Sequence, residues 1–129
     1  MNIYGIGVDI IDNRRIKKLI KKKSFLKRIF SKNELKSIKT KKNKILFLAK
    51  RFSAKEAFVK SLGSGFRNKL CFNDISILND KKGKPYFKFN HNIKNILKKK
   101  YKLKKFKVYL SLSDEKNYSI SYVILNKLK

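Results

Sequence analysis

"LFLAKRFSAKEAFVKSLGSG", residues Leu46 to Gly65, carries the apolar side chains Leu48, Phe52, Val59 and Leu62 at helical spacing and closes on glycines. The spacing predicts one long helix, stopped at Gly63, with an apolar stripe turned toward a core. Glu56 stands four residues after Phe52 and three before Val59, which reads as a carboxylate on that stripe. An unpaired carboxylate there would be costly, so Glu56 must find a cation or a strong hydrogen-bond donor. Lys60 follows at i+4, on the same face one turn later.

Upstream, "GIGVDII", Gly5 to Ile11, sets a second carboxylate, Asp9, inside an apolar run. Ile3, Tyr4, Ile6 and Val8 mark the run as a β-strand that ends in Asp9, and the glycines at 5 and 7 let another backbone or a ligand come close. Spacing alone leaves two readings open. In one, Glu56 and Lys60 are an ordinary intrahelical pair and Asp9 caps a neighbouring helix, each contributing a few tenths to about 1 kcal/mol. In the other, strand and helix bring Asp9 and Glu56 together as a hard oxygen site for Mg²⁺, completed by water and substrate phosphate, with Lys60 facing the same phosphate. The small residues of "SLGSG" suit wrapping around an anion, although a lone G-x-G does not match the P-loop spacing.

Composition bounds the partners. The chain has 129 residues, 42% hydrophobic and 12% aromatic, enough for one domain spanning 1–129 with its own core. No stretch reaches the roughly 20 apolar residues that span a bilayer, and no signal-like segment opens the chain, so Met1 is expected to begin the mature fold in the cytoplasm, with no membrane partner. The lone Cys71 cannot close an intrachain disulfide or build a zinc site. Lys plus Arg number 36 against 8 acids, a formal charge of +28, which points to polyanionic partners. The excess is mostly Lys, spread along the whole chain as AT-rich coding bias would spread it, so no specific nucleic-acid partner is inferred.

Outside these motifs, "IDNRRIKKLIKKKSFLKRIF" reads as one amphipathic helix with Ile16, Leu19, Ile20 and Leu26 inward. Ser31 and Glu34 stand at capping-box spacing for another. "FNDISIL", Gly83-Lys84-Pro85 and "PYFKF" read as a hairpin, and "KVYLSLS" and "YSISYVIL" as two further strands. "HNIKNILKKKYKLKKF" predicts a short helix with Ile93, Ile96 and Leu97 inward and its lysines solvated. His91 is expected at the surface.

Five blocks in order, "GIGVDIID" with Arg15-Ile16, "RIFSKNEL", "RFSAKEAFVKSLGSG", "GKPY" and "SLSDEKNYSISYVIL", resemble those of the holo-[acyl-carrier-protein] synthases, the small bacterial 4′-phosphopantetheinyl transferases. The resemblance covers nearly the whole chain. It implies an α+β fold with an antiparallel sheet packed against a long helix, assembled as a homotrimer with active sites between subunits. The implied reaction moves the phosphopantetheine arm of coenzyme A onto a serine of acyl carrier protein, for fatty acid biosynthesis, and releases adenosine 3′,5′-bisphosphate.

By the same resemblance, Asp9 and Glu56 match the family's magnesium ligands, Mn²⁺ being an alternative ion. Lys60 matches the group that stabilises the departing phosphate, and Glu56 is also a candidate to relay the serine proton. Arg51 matches an arginine at the nucleotide end, where a guanidinium suits a terminal phosphate. Gly63, Ser64 and Gly65 match a turn whose amides approach coenzyme A, and Gly83 and Pro85 a hairpin near it. Arg15 and Arg28 match arginines that receive the acidic helix of the carrier protein. One position departs: the family usually has His after "SLS", and this chain has Asp114. Aspartate cannot donate to a phosphate at neutral pH, so either the His contact is dispensable or Asp114 points away, with lower activity as one consequence. Two other readings stand beside the transferase. One is a basic RNA- or ribosome-associated protein, which leaves Asp9 and Glu56 unexplained. The other is a trimeric scaffold with little turnover.

Overall fold

The structure is a computed structural model that describes residues 2–63 and 70–129. Its first strand, β1 (Ile3–Asp12), runs past Asp9, because the alternation of outward Ile6, Val8 and Ile10 with inward Gly7 and Ile11 continues to the end of the apolar run. Asp12, rather than Asp9, caps the next helix, α1 (Asn13–Leu19), its Oδ1 accepting from the Arg14 N–H at 2.9 Å. The expected single helix from Ile11 to Phe30 is two. Lys22 is extended at φ −93°, and α2 (Lys23–Ile29) starts afresh after it. The break at Lys22 turns Phe25 and then Phe30 into the core, where Ile16 is also buried. Leu19, Ile20 and Leu26 pack partly buried against them.

The capping box forms as read, Ser31 Oγ and Glu34 opening α3 (Lys32–Ser37). The long helix is α4 (Lys44–Leu62), capped by Asn43 Oδ1 on the Leu46 N–H and closed by Gly63 at φ 83°. β2 (Ile75–Asn79) and β3 (Pro85–Phe89) pair as an antiparallel hairpin around Gly83 at φ 84°. In α5 (His91–Tyr101) Ile93 and Leu97 are buried, while Lys98–Lys100 and His91 are exposed. β4 (Phe106–Asp114) and β5 (Tyr118–Lys127) complete an antiparallel sheet in the order β1-β5-β4. The result is the expected α+β arrangement, with α4 lying against the inner face of that sheet. Among the described residues no helix is long and apolar enough to cross a membrane.

Two features fix α4. First, it lies directly on the β1 backbone: a Cβ at Gly7 would stand 1.7 Å from the Ala57 carbonyl oxygen, and one at Gly5 1.8 Å from that of Ser61. Second, its Lys55 is fully buried, and each of its three ammonium donors has an acceptor: the Ile29 carbonyl, the Phe72 carbonyl and Glu34 Oε1. Glu34 Oε2 in turn accepts from the Ile77 N–H at 3.0 Å, so one ion pair ties α4 to α2, α3 and β2. Burial pushes the Lys55 ammonium down and the Glu34 carboxylate pulls it back up. Removing one partner of such a pair costs about 3–5 kcal/mol.

The other face of the sheet is apolar and open. Val8 stands opposite Tyr122, Ile10 opposite Ile120 and Ile6 opposite Ile124, and Tyr109 of β4 extends the row beside Ile124. Ile6, Val8 and Ile10 are each more than half exposed.

The Gly7 contact gives a direct check. Gly7→Ala forces α4 off β1 and is expected to destabilise the protein by about 3 kcal/mol, at the upper end of overpacking costs. Urea denaturation reads the loss. Ala substitution at Gly63, whose Cβ would meet nothing within 4 Å, is expected to cost less, through backbone strain at its positive φ alone.

Candidate active site

Asp9, Glu56 and Lys60 meet where β1 crosses the C-terminal half of α4. The Ser53 hydroxyl donates to the Asp9 carbonyl at 3.2 Å and pins the strand to the helix at this level. The Lys60 ammonium donates to Asp9 Oδ1 and to the Val8 carbonyl, both at 3.1 Å. Lys60 thus pairs across to the strand rather than with Glu56 on its own helix, and its side chain is about half exposed. Glu56 is half-buried, beside the apolar stripe rather than in it. Burial raises its carboxyl above the ordinary value of 4.5, the Asp9 charge raises it further, and Lys60 and Arg15 pull it down. Two carboxylates are therefore close enough to repel each other, with a mobile-stemmed cation beside them.

That donor set fits a small hard cation. Two carboxylates are hard oxygen donors of the kind that Mg²⁺ takes together with water and phosphate oxygens, and among the described residues no group of three or more His, Cys, Asp or Glu is gathered. A cation placed between Asp9 and Glu56 would cancel the repulsion that raises Glu56.

Arg51 lies elsewhere. About 140° of helical rotation separates it from Glu56 and about 180° from Lys60, so it leaves α4 on another side. It is buried, its guanidinium stacks 3.5 Å from the Phe47 ring centre, and it donates to the Phe47 carbonyl at 3.3 Å and to Asn79 Oδ1 at 2.6 Å. Its Nε has no partner among the described residues. Burial lowers its pKa to about 10. Arg51 lines a cavity of about 800 Å³ with Gly83 and Pro85, and Lys41, Lys42, Lys50 and Lys81 add cations to the wall. The one acid there, Asp80, spends Oδ1 on the N–H groups of Lys82 and Lys84 in the hairpin turn. The wall of the cavity is strongly basic.

Gly63 is a left-handed helix cap whose N–H returns to the Lys60 carbonyl at 3.0 Å. Ser64 and Gly65 lie outside the described residues. Arg15 and Arg28 are both exposed, Arg15 within electrostatic reach of Glu56 and Arg28 on α2 beside a small cavity with Phe72. Asp114 ends β4 in an ion pair, its Oδ1 3.1 Å from Lys50 Nζ. Ser53, Asn79 and Lys50 carry parts of the site that motif reading does not mark. A hydroxyl, an amide and one lysine among many leave no spacing signal until the fold brings them into place.

Comparison with known proteins follows the same outline. A family model described as the 4′-phosphopantetheinyl transferase superfamily matches residues 5–123. The holo-[acyl-carrier-protein] synthase of Pelagibacter ubique is 53% identical over 127 residues, 98% of this chain and 99% of that protein. The one from Blochmanniella pennsylvanica is 44% identical over 97% of this chain and 99% of its own length. Among solved structures, the holo-[acyl-carrier-protein] synthase of Neisseria meningitidis superposes with a TM-score of 0.87 at 37% identity, covering 97% of this chain and 99% of that one. A Bacillus anthracis holo-(acyl-carrier-protein) synthase in complex with CoA (3′,5′-ADP) gives 0.82 at 33% identity, covering 99% of this chain and 100% of that one.

The coupling of the two carboxylates is open to measurement. With its pKa raised in the folded state, Glu56 holds its proton to higher pH than the unfolded chain does. It therefore costs nothing below the unfolded value of 4.5 and destabilises progressively as pH rises through the folded value. Carboxyl NMR titration of Asp9→Asn is expected to show the Glu56 midpoint shifted down, and Glu56→Gln is expected to gain stability over the parent at pH 7 but not at pH 4.

Proposed function

Because the chain belongs to the 4′-phosphopantetheinyl transferase superfamily, we propose that it transfers the 4′-phosphopantetheine arm of coenzyme A to a serine of apo acyl carrier protein, releasing adenosine 3′,5′-bisphosphate. The observation that carries the reading is the meeting of Asp9, Glu56 and Lys60 on β1 and α4. A fold serving phosphate binding alone has no use for two mutually repelling carboxylates at that point. Nearly full-length likeness to holo-[acyl-carrier-protein] synthases gives no support to the RNA-binding alternative.

The roles follow from the chemistry of each side chain. Asp9 and Glu56 would hold Mg²⁺, which when bound neutralises charge on the pyrophosphate oxygens of coenzyme A. The carrier serine oxygen forms a bond to the β-phosphorus, and the bond to the bridging oxygen breaks. The serine proton goes to Glu56, directly or through water. Lys60 swings its ammonium from Asp9 to the departing phosphate, a short move for a side chain already half in solvent. Arg51, with its Nε unpaired, takes the nucleotide's terminal phosphate in the cavity edged by Gly83 and Pro85. Arg15 and Arg28 meet the acidic carrier, an encounter that the chain's overall charge accelerates at low salt.

A homotrimer suits this division of the site. Arg51 and the carboxylates leave α4 on different sides, so a substrate that touches both sets is best seated between protomers. The open apolar sheet face, with Ile6, Val8, Ile10, Ile120 and Tyr122, supplies a surface for that assembly. Tyr122→Asp is expected to lower the sedimentation mass from three chains toward one in analytical ultracentrifugation.

Mass spectrometry tests the reaction. Apo acyl carrier protein incubated with this protein, coenzyme A and Mg²⁺ is expected to gain one phosphopantetheine group. Asp9→Ala, Glu56→Ala or chelation with EDTA should abolish the gain, with Mg²⁺ restoring only the chelated sample. No gain from the folded parent with a competent carrier would sink the proposal.

A further inference from the structure

Asp114 closes β4 at the place where a hydrogen-bond donor would be expected to face substrate, yet its carboxylate forms an ion pair with Lys50, Oδ1 to Nζ 3.1 Å. Lys50 is the residue before Arg51 on α4 and lines the same basic cavity of about 800 Å³, whereas Asp114 stands behind it, on the wall of a neighbouring cavity with Asn13 and Leu46. Both side chains are only about 30% exposed, so the pair is held between α4 and the end of the sheet rather than waving in solvent. The pair thus restrains Lys50 at the wall of the basic cavity, next to Arg51, whose Nε lacks a partner among the described residues.

We propose that Asp114 is a positioning residue: it aims the Lys50 ammonium into the cavity beside Arg51, making Lys50 a further contact for the anionic end of the donor substrate. The inference rests on the reading of that cavity as the nucleotide subsite. It also accounts for an aspartate at this position. A carboxylate that touched substrate phosphate would repel it, but one set behind a lysine orders a flexible cation that would otherwise lose side-chain entropy on binding. Contact is thereby handed from the strand end to the helix.

Simple electrostatics makes the opposite forecast, which gives the test its sign. If Asp114 only diluted the positive field, its neutralisation would tighten anion binding. If it positions Lys50, neutralisation weakens binding. Calorimetric titration of the full chain with adenosine 3′,5′-bisphosphate is expected to show a Kd raised about fivefold in Lys50→Met and about threefold in Asp114→Asn, the size of one typical net hydrogen bond. Because Asp114 acts through Lys50, adding Asp114→Asn to Lys50→Met should change nothing further. In turnover with coenzyme A the same variants should raise KM and leave kcat near that of the parent, and Lys50→Arg should stay close to the parent in both. Asp114→Asn binding as tightly as the parent or tighter, or an undiminished Asp114→Asn effect in the Lys50→Met background, overturns the proposal. Thermal unfolding of each variant separates these results from loss of fold. A parent that binds the nucleotide but transfers nothing would defeat the proposed reaction and leave the positioning result to be read on binding alone.

Discussion

The backbone of β1 touches the backbone of α4, and the site depends on that contact. Helix and sheet normally stand apart by the thickness of their side chains, about 10 Å. At Gly5 and Gly7 there are no side chains to hold them apart, and the carbonyls of Ser61 and Ala57 fill the space where Cβ atoms would be. Asp9 follows two residues later on the same face of the strand, so its short side chain reaches the level of Glu56 and Lys60. At ordinary spacing, the same three residues would face each other across a gap too wide for a shared ion. Close approach along the strand is thus what converts two isolated carboxylates into a pair.

Approach sets the distance, and a second contact sets the rotation of the helix about its axis. Lys55 is anchored by two carbonyls and Glu34, and a helix held at one residue in this way presents Glu56 at a fixed angle of about 100° further round. This anchor was the main thing hidden in the sequence. Glu56 fits the interval between Phe52 and Val59, but so does Lys55. On a helical wheel the mean direction of Leu48, Phe52, Val59 and Leu62 lies about 25° from Lys55 and about 75° from Glu56. The stripe belongs to Lys55, one lysine among many in a chain where only a carboxylate stands out. The capping box at Ser31 and Glu34 was legible because it is local. That the same Glu34 also receives Lys55 and the Ile77 N–H needs three elements to be in place, and no spacing encodes that.

The same division between local and assembled signals runs through the rest of the molecule. Periodicity placed α4, α5 and the paired strands well. It joined α1 to α2 because a lysine run looks like a solvated helix face until a turn is needed to bury Phe25 and Phe30. A carboxylate in an apolar run looks like a strand end, yet the β1 pairing with β5 carries on past Asp9 to Asp12 and Tyr118. The candidate catalytic residues were individually legible, through the family resemblance and through their oddness in context. Their grouping was not: Arg51 leaves α4 on another side from Glu56 and Lys60, and only the fold separates the carboxylate pair from the basic cavity.

The eight acids explain how a chain with a net charge of +28 keeps one fold. Asp12 caps α1, Glu34 neutralises the buried Lys55, Asp74 accepts from Asn90 at 2.6 Å, Asp80 orders the hairpin turn and Asp114 holds Lys50. Asp9 and Glu56 form the carboxylate pair, which leaves Glu115 as the one whose side chain has no such task among the described residues. Lysine can accumulate on a surface at little cost, since each long side chain carries its own charge into water. A carboxylate that satisfies backbone donors or a buried cation has no such latitude, because its removal exposes an unmet partner. The basic excess is therefore a property of the solvent boundary, and the acids mark where the structure needs a negative charge. In a chain of this composition, the scarce charge is the one to follow when looking for the site.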